Sequence, residues 1–124
     1  MLELKELTGP VCAAAIDVHR HVGPGLLESA YEECLCHELS LRKLTFQRQV
    51  PLPVTYKGAR LDCGYRLDVV VENRVLLELK SVDRITPIHE AQLLTYLRLS
   101  TLKVGLLLNF NVDVMKDGIT RRVL

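Results

Sequence analysis

The chain has 124 residues, of which 48% are hydrophobic and 25% are charged. This composition is typical of one globular domain and excludes a disordered or collagen-like chain. The formal net charge is +1, so no general excess of positive charge draws the chain to nucleic acid. Its longest apolar runs, such as 104–108, are far shorter than the ~20 residues that cross a membrane.

The N-terminus and the cysteines indicate an intracellular protein. Residues 1–6 mix charge with leucine and lack the basic start and apolar core of a secretion signal. We expect Cys12, Cys34, Cys36 and Cys63 to be reduced thiols, because a chain with a large core does not need disulfides. On a helix, Cys34 and Cys36 point about 200° apart, which argues against a shared zinc site. A cytoplasmic location follows as the expectation.

Two helices open the predicted fold. Apolar residues recur at helical spacing over 2–21, although Thr8-Gly9-Pro10 is expected to kink or restart this helix. The run His-Val-Gly-Pro-Gly at 21–25 ends it. A second helix is predicted from Leu27 to Arg42. Its apolar stripe comprises Ala30, Tyr31, Cys34, Leu35 and Leu39.

After the second helix the apolar pattern changes to a period of two, which indicates strands. The first predicted strand covers 46–56. It carries Pro51 and Pro53, which favour an edge position because proline lacks the N–H that a central strand uses. Two more strands are predicted over 61–72 and 75–81.

The C-terminal part is predicted to alternate helix and strand. A helix covers Pro87–Ser100, with a threonine N-cap before it and proline at its first position. The continuous apolar run Val104–Asn109 predicts a buried central strand. A turn at 116–118 precedes a last strand, Ile119–Leu124. The order predicts an α/β fold with a single mixed sheet flanked by helices, in one domain over 1–124.

The strongest local signal for chemistry is the hairpin around Asn73. If 72–74 form a three-residue loop, Asp68 lies across from Glu78 on one face, with side-chain roots about 4.5–5.5 Å apart. Lys80 projects from that same face. A two-residue loop would instead move Asp68 to the face opposite Glu78. The prediction therefore depends on the loop length.

Two facing carboxylates inside a sheet repel each other unless a cation lies between them. Their oxygens suit Mg²⁺ or Mn²⁺, which keep several waters and accept a phosphate oxygen. Lys80 would then help to generate the attacking hydroxide or neutralise the phosphate, as metal-assisted phosphodiester hydrolysis requires. A salt-bridged pair on a solvent-facing hairpin explains the same spacing without catalysis.

Polar residues at helical spacing flank this hairpin. His89, Gln92 and Tyr96 lie at i, i+3 and i+7 of the third helix, and Glu28 and Tyr31 lie at i and i+3 of the second. Each also has an explanation without catalysis. Tyr96 suits a core position, and the helix dipole favours Glu28 in the first turn.

These motifs resemble a known family. Gly25-Leu-Leu-Glu28-Ser-Ala-Tyr31 resembles the motif of the GxxExxY protein family, which belongs to the PD-(D/E)XK nuclease-like superfamily. Asp68 followed by Glu78-Leu-Lys80 is similar to the catalytic core of that superfamily. Gln92-Leu-Leu-Thr-Tyr96 resembles the QxxxY motif of its exonuclease-like branches. Leu67 stands where the wider superfamily has proline.

The resemblance implies a restriction-endonuclease-like αβββαβ core and a Mg²⁺- or Mn²⁺-dependent nuclease acting on DNA, or alternatively on RNA. It implies that Asp68 and Glu78 bind the metal, together with the Leu79 carbonyl. Lys80 would lie beside the nucleophilic water, and Glu28 would bind or orient a metal. Gln92 and Tyr96 would position a phosphate or the water. The implied catalytic set is Glu28, Asp68, Glu78, Lys80, Gln92 and Tyr96.

Two other functions remain open at the level of sequence. The chain is alternatively a nucleic-acid- or protein-binding module that kept the fold without useful turnover, or a structural or regulatory subunit acting through an apolar surface. The low net charge favours the binding module, or a nuclease recruited by a protein partner. A homodimer is expected, because a minimal core lacks a separate specificity domain. The candidate phosphate contacts are Arg42, Lys43, Arg48, Arg121 and Arg122.

Overall fold

The computed structural model of the protein describes residues 4–124 and begins with two packed helices, α1 (Lys5–Val22) and α2 (Glu28–Leu41). The first two residues of the predicted first helix lie outside this range. The alternative of a restart at Thr8–Pro10 is wrong, because α1 continues through Pro10. Pro10 is exposed near the helix start, where water can satisfy the carbonyl that loses its N–H partner. Within residues 4–124, no helix is long and apolar enough to cross a bilayer.

The strands form one main sheet and one separate hairpin. In chain order they are β1 (Phe46–Pro51), β2 (Val54–Tyr56), β3 (Ala59–Leu61), β4 (Arg66–Val71), β5 (Val75–Lys80), β6 (Val104–Asn109) and β7 (Ile119–Val123). The main sheet has the order β1-β4-β5-β6-β7. Helix α3 (Pro87–Ser100) connects β5 to β6, which run parallel, whereas the other neighbours are antiparallel. The predicted mixed α/β fold is confirmed.

Two of the predicted strands are each divided in the structure. The strand predicted over 46–56 ends at Pro51, and the strand predicted over 61–72 resumes only at Arg66. Between them, β2 and β3 pair with each other and form a second, two-stranded sheet, so the expectation of a single sheet is incomplete. The division occurs where the buried Leu52 donates its N–H to the Tyr65 carbonyl, at 3.0 Å. The predicted edge position of β1 is confirmed.

The loop between β4 and β5 sets the register of the hairpin. Val71 pairs with Val75, so residues 72–74 form a three-residue loop, the alternative on which the pairing of Asp68 with Glu78 depends. Glu72 and Asn73 both adopt left-handed backbone, with φ of 54° and 55°, and the Arg74 N–H donates to the Val71 carbonyl. Every pairing that follows therefore has the parity expected from the sequence.

The main sheet is covered on both faces. On one face, α1 and α2 pack on β4, β5 and β6, and the Tyr31 ring stacks on Phe110 with centroids 4.5 Å apart. On the other face, α3 packs through Leu93, Tyr96 and Leu97. Gly105 permits this approach, because a Cβ at that position would lie 2.8 Å from the Leu93 side chain. The predicted helix Pro87–Ser100 and central strand Val104–Asn109 are confirmed.

Candidate active site

Asp68 and Glu78 lie where β4 and β5 part. The backbone pairing of the two strands ends at Val69 and Leu77. Beyond it, the Asp68 N–H donates to Glu78 Oε2, and the Leu79 N–H donates to Asp68 Oδ2, each at 2.9 Å. Each carboxylate therefore accepts a backbone donor of the opposite strand, and the two acidic groups are held side by side.

Burial makes this pair of carboxylates unfavourable in its doubly ionised form. Glu78 is only 4% exposed, and burial, with the nearby charge of Asp68, raises its pKa to about 8. Burial also raises the pKa of Asp68, against the hydrogen bond from the Leu79 N–H, which lowers it. The charge of Lys80 acts in the lowering direction on both. The pair therefore favours a proton or a cation between its oxygens.

Lys80 and two residues of α3 complete one side of the site. Lys80 Nζ lies 3.4 Å from Gln92 Oε1, and Gln92 also hydrogen-bonds the Tyr96 hydroxyl. Burial raises the pKa of Tyr96, and the charge of Glu78 adds to the rise. The structure thus brings five residues of the expected set into one cluster joined by hydrogen bonds and charge interactions: Asp68, Glu78, Lys80, Gln92 and Tyr96.

Glu28 acts on this cluster from the start of α2. It is the first residue of α2 and is exposed, and its charge raises the pKa of both Asp68 and Glu78. A cleft of about 390 Å³ lies beside it, lined in part by Leu27 and Ser81. Glu28 is therefore near enough to act on the carboxylate pair through its charge.

Tyr31 of the Gly25–Tyr31 motif has a structural role. Its hydroxyl donates to the Gly23 carbonyl at 2.6 Å and accepts the Leu26 N–H at 3.1 Å. Ser81 Oγ then donates to the Leu26 carbonyl at 2.8 Å, which ties this turn to the residue after β5. These bonds fix the start of α2, and with it Glu28, against the strand that carries Glu78 and Lys80.

Two polar residues next to Asp68 were not expected from the sequence. Glu32 is 7% exposed, and it accepts hydrogen bonds from Arg48 Nε at 2.9 Å and from Gln49 Nε2 at 2.8 Å. Its charge adds to the rise in the Asp68 pKa. The available signal was the spacing of Glu32 four residues after Glu28, which puts both on one helix face. The sequence held no comparable sign for Gln49.

At Gln49 and Asp68, the side chains of β1 and β4 change the face of the sheet to which they point. The φ of Gln49 is 50°, a left-handed conformation that is costly for a side chain with a Cβ. It sits opposite Asp68, between the flanking pairs of β1 and β4. On one side of this position, Val69 packs toward α1 and α2, whereas on the other side Val50 and Leu67 pack toward α3. Strands β1 and β4 are therefore twisted sharply at Asp68, whose carboxylate belongs to the candidate site.

The donor set fits a hard divalent cation. Mg²⁺ keeps several waters and uses one or two carboxylates, which Asp68 and Glu78 supply. Within residues 4–124, no three Asp, Glu, His or Cys side chains are close enough together to bind one metal ion. Glu28 therefore does not form a three-carboxylate site with Asp68 and Glu78. Further ligands would come from water, substrate and a backbone carbonyl such as that of Leu79.

Other polar residues have structural partners. Arg42 pairs with Asp17 and Glu38, Arg48 pairs with Glu32 and Glu33, and Arg122 pairs with Glu90. Three of the basic residues expected to contact phosphate are thus engaged with carboxylates. His89 serves as a helix cap, because its Nδ1 accepts the Thr86 N–H at 3.0 Å.

Comparison with known proteins gives one finding. A family model described as the PD-(D/E)XK nuclease superfamily matches residues 5–122, from the first residue of α1 into β7. No curated protein and no solved structure matches the chain. The family match covers nearly the whole sequence, including both strands of the carboxylate pair. The chain belongs to the PD-(D/E)XK nuclease superfamily.

Proposed function

We propose that the chain is a Mg²⁺- or Mn²⁺-dependent nuclease that hydrolyses phosphodiester bonds in DNA, or alternatively in RNA. The observation that carries this proposal is the buried pair of Asp68 and Glu78, with Lys80 beside it. Such a pair is costly as two bare anions and becomes favourable around a cation. Membership of the nuclease superfamily supports the same reaction class.

Each residue of the cluster has a proposed role. Asp68 and Glu78 hold the metal, which when bound lowers the pKa of a water and stabilises charge on the phosphate. Lys80 donates to a phosphate oxygen or holds the attacking water. Gln92 positions the Lys80 ammonium through their contact, and Tyr96 fixes Gln92 in turn.

Several further features belong to the same proposal. Glu28, at the start of α2, orients a metal or its water, and the Leu79 carbonyl is a third metal ligand. The chain is a member of the GxxExxY family and works in the cytoplasm. It forms a homodimer or is recruited by a protein partner, because its net charge of +1 supplies little general attraction for nucleic acid.

The proposal is tested by a cleavage assay with Mg²⁺ or Mn²⁺ on single-stranded, duplex and branched DNA and on RNA. Lys80→Ala should lose about 100-fold or more in rate. Lys103→Ala is the matched control, because Lys103 precedes β6 and lies at the opposite end of the sheet from Lys80. Wild-type cleavage that persists in chelator, or full activity in Lys80→Ala, would contradict the proposed site.

The low net charge favours a second candidate, a binding module that retains the fold. Such a module would bind nucleic acid or protein without turnover, and Asp68→Asn would leave its binding unchanged. No cleavage on any substrate, combined with tight binding by wild type and Asp68→Asn alike, would select this function over the nuclease.

A further inference from the structure

The segment between β1 and β4 projects from the domain. We call residues 53–66 the arm; it contains β2, β3 and the first residue of β4. Every residue from 55 to 66 is exposed. Two strands of three residues give a hairpin little stability of its own. The arm is anchored at its base by the buried Leu52, whose N–H donates to the Tyr65 carbonyl. Core packing therefore does not explain its side chains.

The base of the arm borders the candidate active site. The rings of Tyr65 and Tyr96 are in contact, with centroids 5.9 Å apart and planes tilted by 59°. Tyr96 hydrogen-bonds Gln92, and Asp68 follows Tyr65 by three positions in the chain. Tyr65 is nevertheless 45% exposed. Part of its ring is thus open to solvent directly beside the residues proposed to act on phosphate.

The arm combines positive charge with exposed aromatic surface. It carries Lys57, Arg60 and Arg66 against the single acidic residue Asp62, although the whole chain is almost neutral at +1. Its exposed apolar side chains are Tyr56, Leu61 and Tyr65. Arg66 Nη1 donates to the Tyr65 carbonyl at 3.0 Å, which keeps the guanidinium near that residue.

Alternating basic and aromatic side chains suit single-stranded nucleic acid. The cations contact the phosphates, and the rings stack on unpaired bases of any sequence. In a duplex both faces of each base are covered by neighbouring bases, so an exposed tyrosine has nothing to stack on. Charge complementarity and ring exposure therefore favour a single strand over a duplex on this surface.

We propose, on the basis of the proposed nuclease function, that the arm binds single-stranded nucleic acid and leads it to the carboxylate pair. One unpaired base stacks on Tyr65, and Arg66 contacts the adjoining phosphate, whereas Arg60 faces the C-terminal end of α3 beside Leu99 and Leu102. Tyr56 contributes less, because Lys57 Nζ already lies over its ring, 5.5 Å from the centroid. The substrate class of the site is then a single strand or a frayed end.

The test measures binding without cleavage. Fluorescence anisotropy in EDTA compares a labelled single-stranded oligonucleotide with a duplex of the same sequence. Tyr65→Ala should weaken single-strand binding about tenfold or more. Tyr65→Phe should bind within about twofold of wild type, because the ring remains. Tyr56→Ala is the matched control on the same arm, with an expected change of less than about threefold.

Three results would overturn the proposal. They are unchanged single-strand affinity in Tyr65→Ala, duplex binding as tight as single-strand binding, and a dimer of the chain that Tyr65→Ala dissociates in size-exclusion chromatography. The last would assign the arm to an interface between two copies. If Tyr65→Ala melts like wild type, a lost fold does not explain its loss of binding.

Failure of the arm proposal is distinguishable from failure of the nuclease proposal. If the protein cleaves with Mn²⁺ and Tyr65→Ala binds single strands as tightly as wild type, the nuclease proposal stands and the arm proposal is wrong. If Tyr65→Ala weakens single-strand binding but wild type cleaves no substrate with Mn²⁺, the arm proposal stands and the nuclease proposal is wrong.

Discussion

Opposing interactions act on the carboxylate of Glu78. The N–H of Asp68 donates to it and stabilises the ionised form, whereas burial and the charge of Asp68 destabilise that form. The unfavourable interactions dominate, since the pKa rises to about 8. Near neutral pH the metal-free pair therefore retains a proton, which a bound divalent cation would displace.

The first prediction concerns stability against pH. Because the pKa of Glu78 is about 8 in the folded protein against 4.5 ordinarily, the folded state binds the extra proton more tightly. The stabilisation is complete below about pH 4.5 and is lost as the pH rises to about 8. We expect the free energy of unfolding, measured by urea titration in EDTA, to fall across this range by on the order of a few kcal/mol.

Glu78→Gln provides the control for this measurement. The amide keeps the shape of the side chain and cannot titrate, so its stability profile should lack the decline that Glu78 causes. Groups away from the pair contribute equally to both proteins, and Asp68 titrates together with Glu78, so the difference between the profiles reports on the carboxylate pair. Parallel profiles in wild type and Glu78→Gln would show that the buried pair does not hold the proton.

The residues of the carboxylate pair could be predicted because hairpin parity is a local property. Once the loop has three residues, Asp68 and Glu78 occupy corresponding positions of the two strands, one step beyond the last backbone pair, Val69 with Leu77. Glu32 and Gln49 could not be predicted in the same way. Burial of Glu32 depends on a cation sixteen positions later, Arg48, and the left-handed backbone of Gln49 depends on tertiary contacts that override its local preference.

At the scale of elements, Arg48 joins β1 to α2. Its guanidinium bonds two neighbouring carboxylates that differ greatly in burial. The Glu32 side chain is 10% exposed, whereas that of Glu33 is 70% exposed. The same cation thus compensates a buried charge and an exposed charge, which allows their contributions to be separated.

The second prediction uses this difference. Arg48→Met removes the cation but keeps the apolar stem, and leaves the buried Glu32 without charge compensation. We expect a loss of about 2 kcal/mol or more in the free energy of unfolding, somewhat below the usual cost of a fully buried pair because Arg48 is partly exposed. Glu33→Gln should cost less than about 1 kcal/mol.

A double variant checks the cause of that loss. Combining Arg48→Met with Glu32→Gln removes the buried charge together with its partner, so part of the stability should return. Urea titration of wild type, Arg48→Met, Glu32→Gln and the double variant measures the coupling. Equal losses in Arg48→Met and Glu33→Gln would contradict the view that burial of Glu32 sets the cost.

Most elements could be predicted from periodicity, whereas the division of the strand predicted over 46–56 could not. Alternation continues past Pro53 to Tyr56, so the pattern alone predicts one long strand. The chain leaves the main sheet because Leu52 turns into the core and bonds Tyr65, a contact between distant positions. Helix α3 showed no such conflict, since its cap, length and apolar spacing all agree.

At the scale of the whole molecule, one sheet separates two apolar layers. Helices α1 and α2 cover one face and α3 covers the other, so the central strands β4, β5 and β6 contribute residues to both layers. We expect the two layers to unfold together in a single transition, as small domains do. The candidate site takes residues from β4, β5 and α3, and a ligand bound there should stabilise the whole domain.

The third prediction is stabilisation by metal. Mn²⁺ at about 100 times its dissociation constant should raise the free energy of unfolding by about 2.7 kcal/mol. That corresponds to a rise of several degrees in Tm, measured by circular dichroism. Asp68→Asn should lose most of this rise, whereas Lys80→Ala should keep it, because Lys80 is not a metal ligand. The exposed Asp113→Asn serves as the control, and an equal loss there would indicate nonspecific binding.

The hydrogen bonds accepted by the carboxylate pair affect how descendants of this chain can lose activity. An apolar residue at either position would leave a buried backbone N–H without a hydrogen-bond partner, which costs about 1–3 kcal/mol in the free energy of unfolding. Selection for folding alone would therefore retain Asp68 and Glu78, or their amides, after cleavage had ceased. Lys80 makes only a long contact with Gln92, at 3.4 Å, and is under no such constraint. Decay of function would first become visible at Lys80.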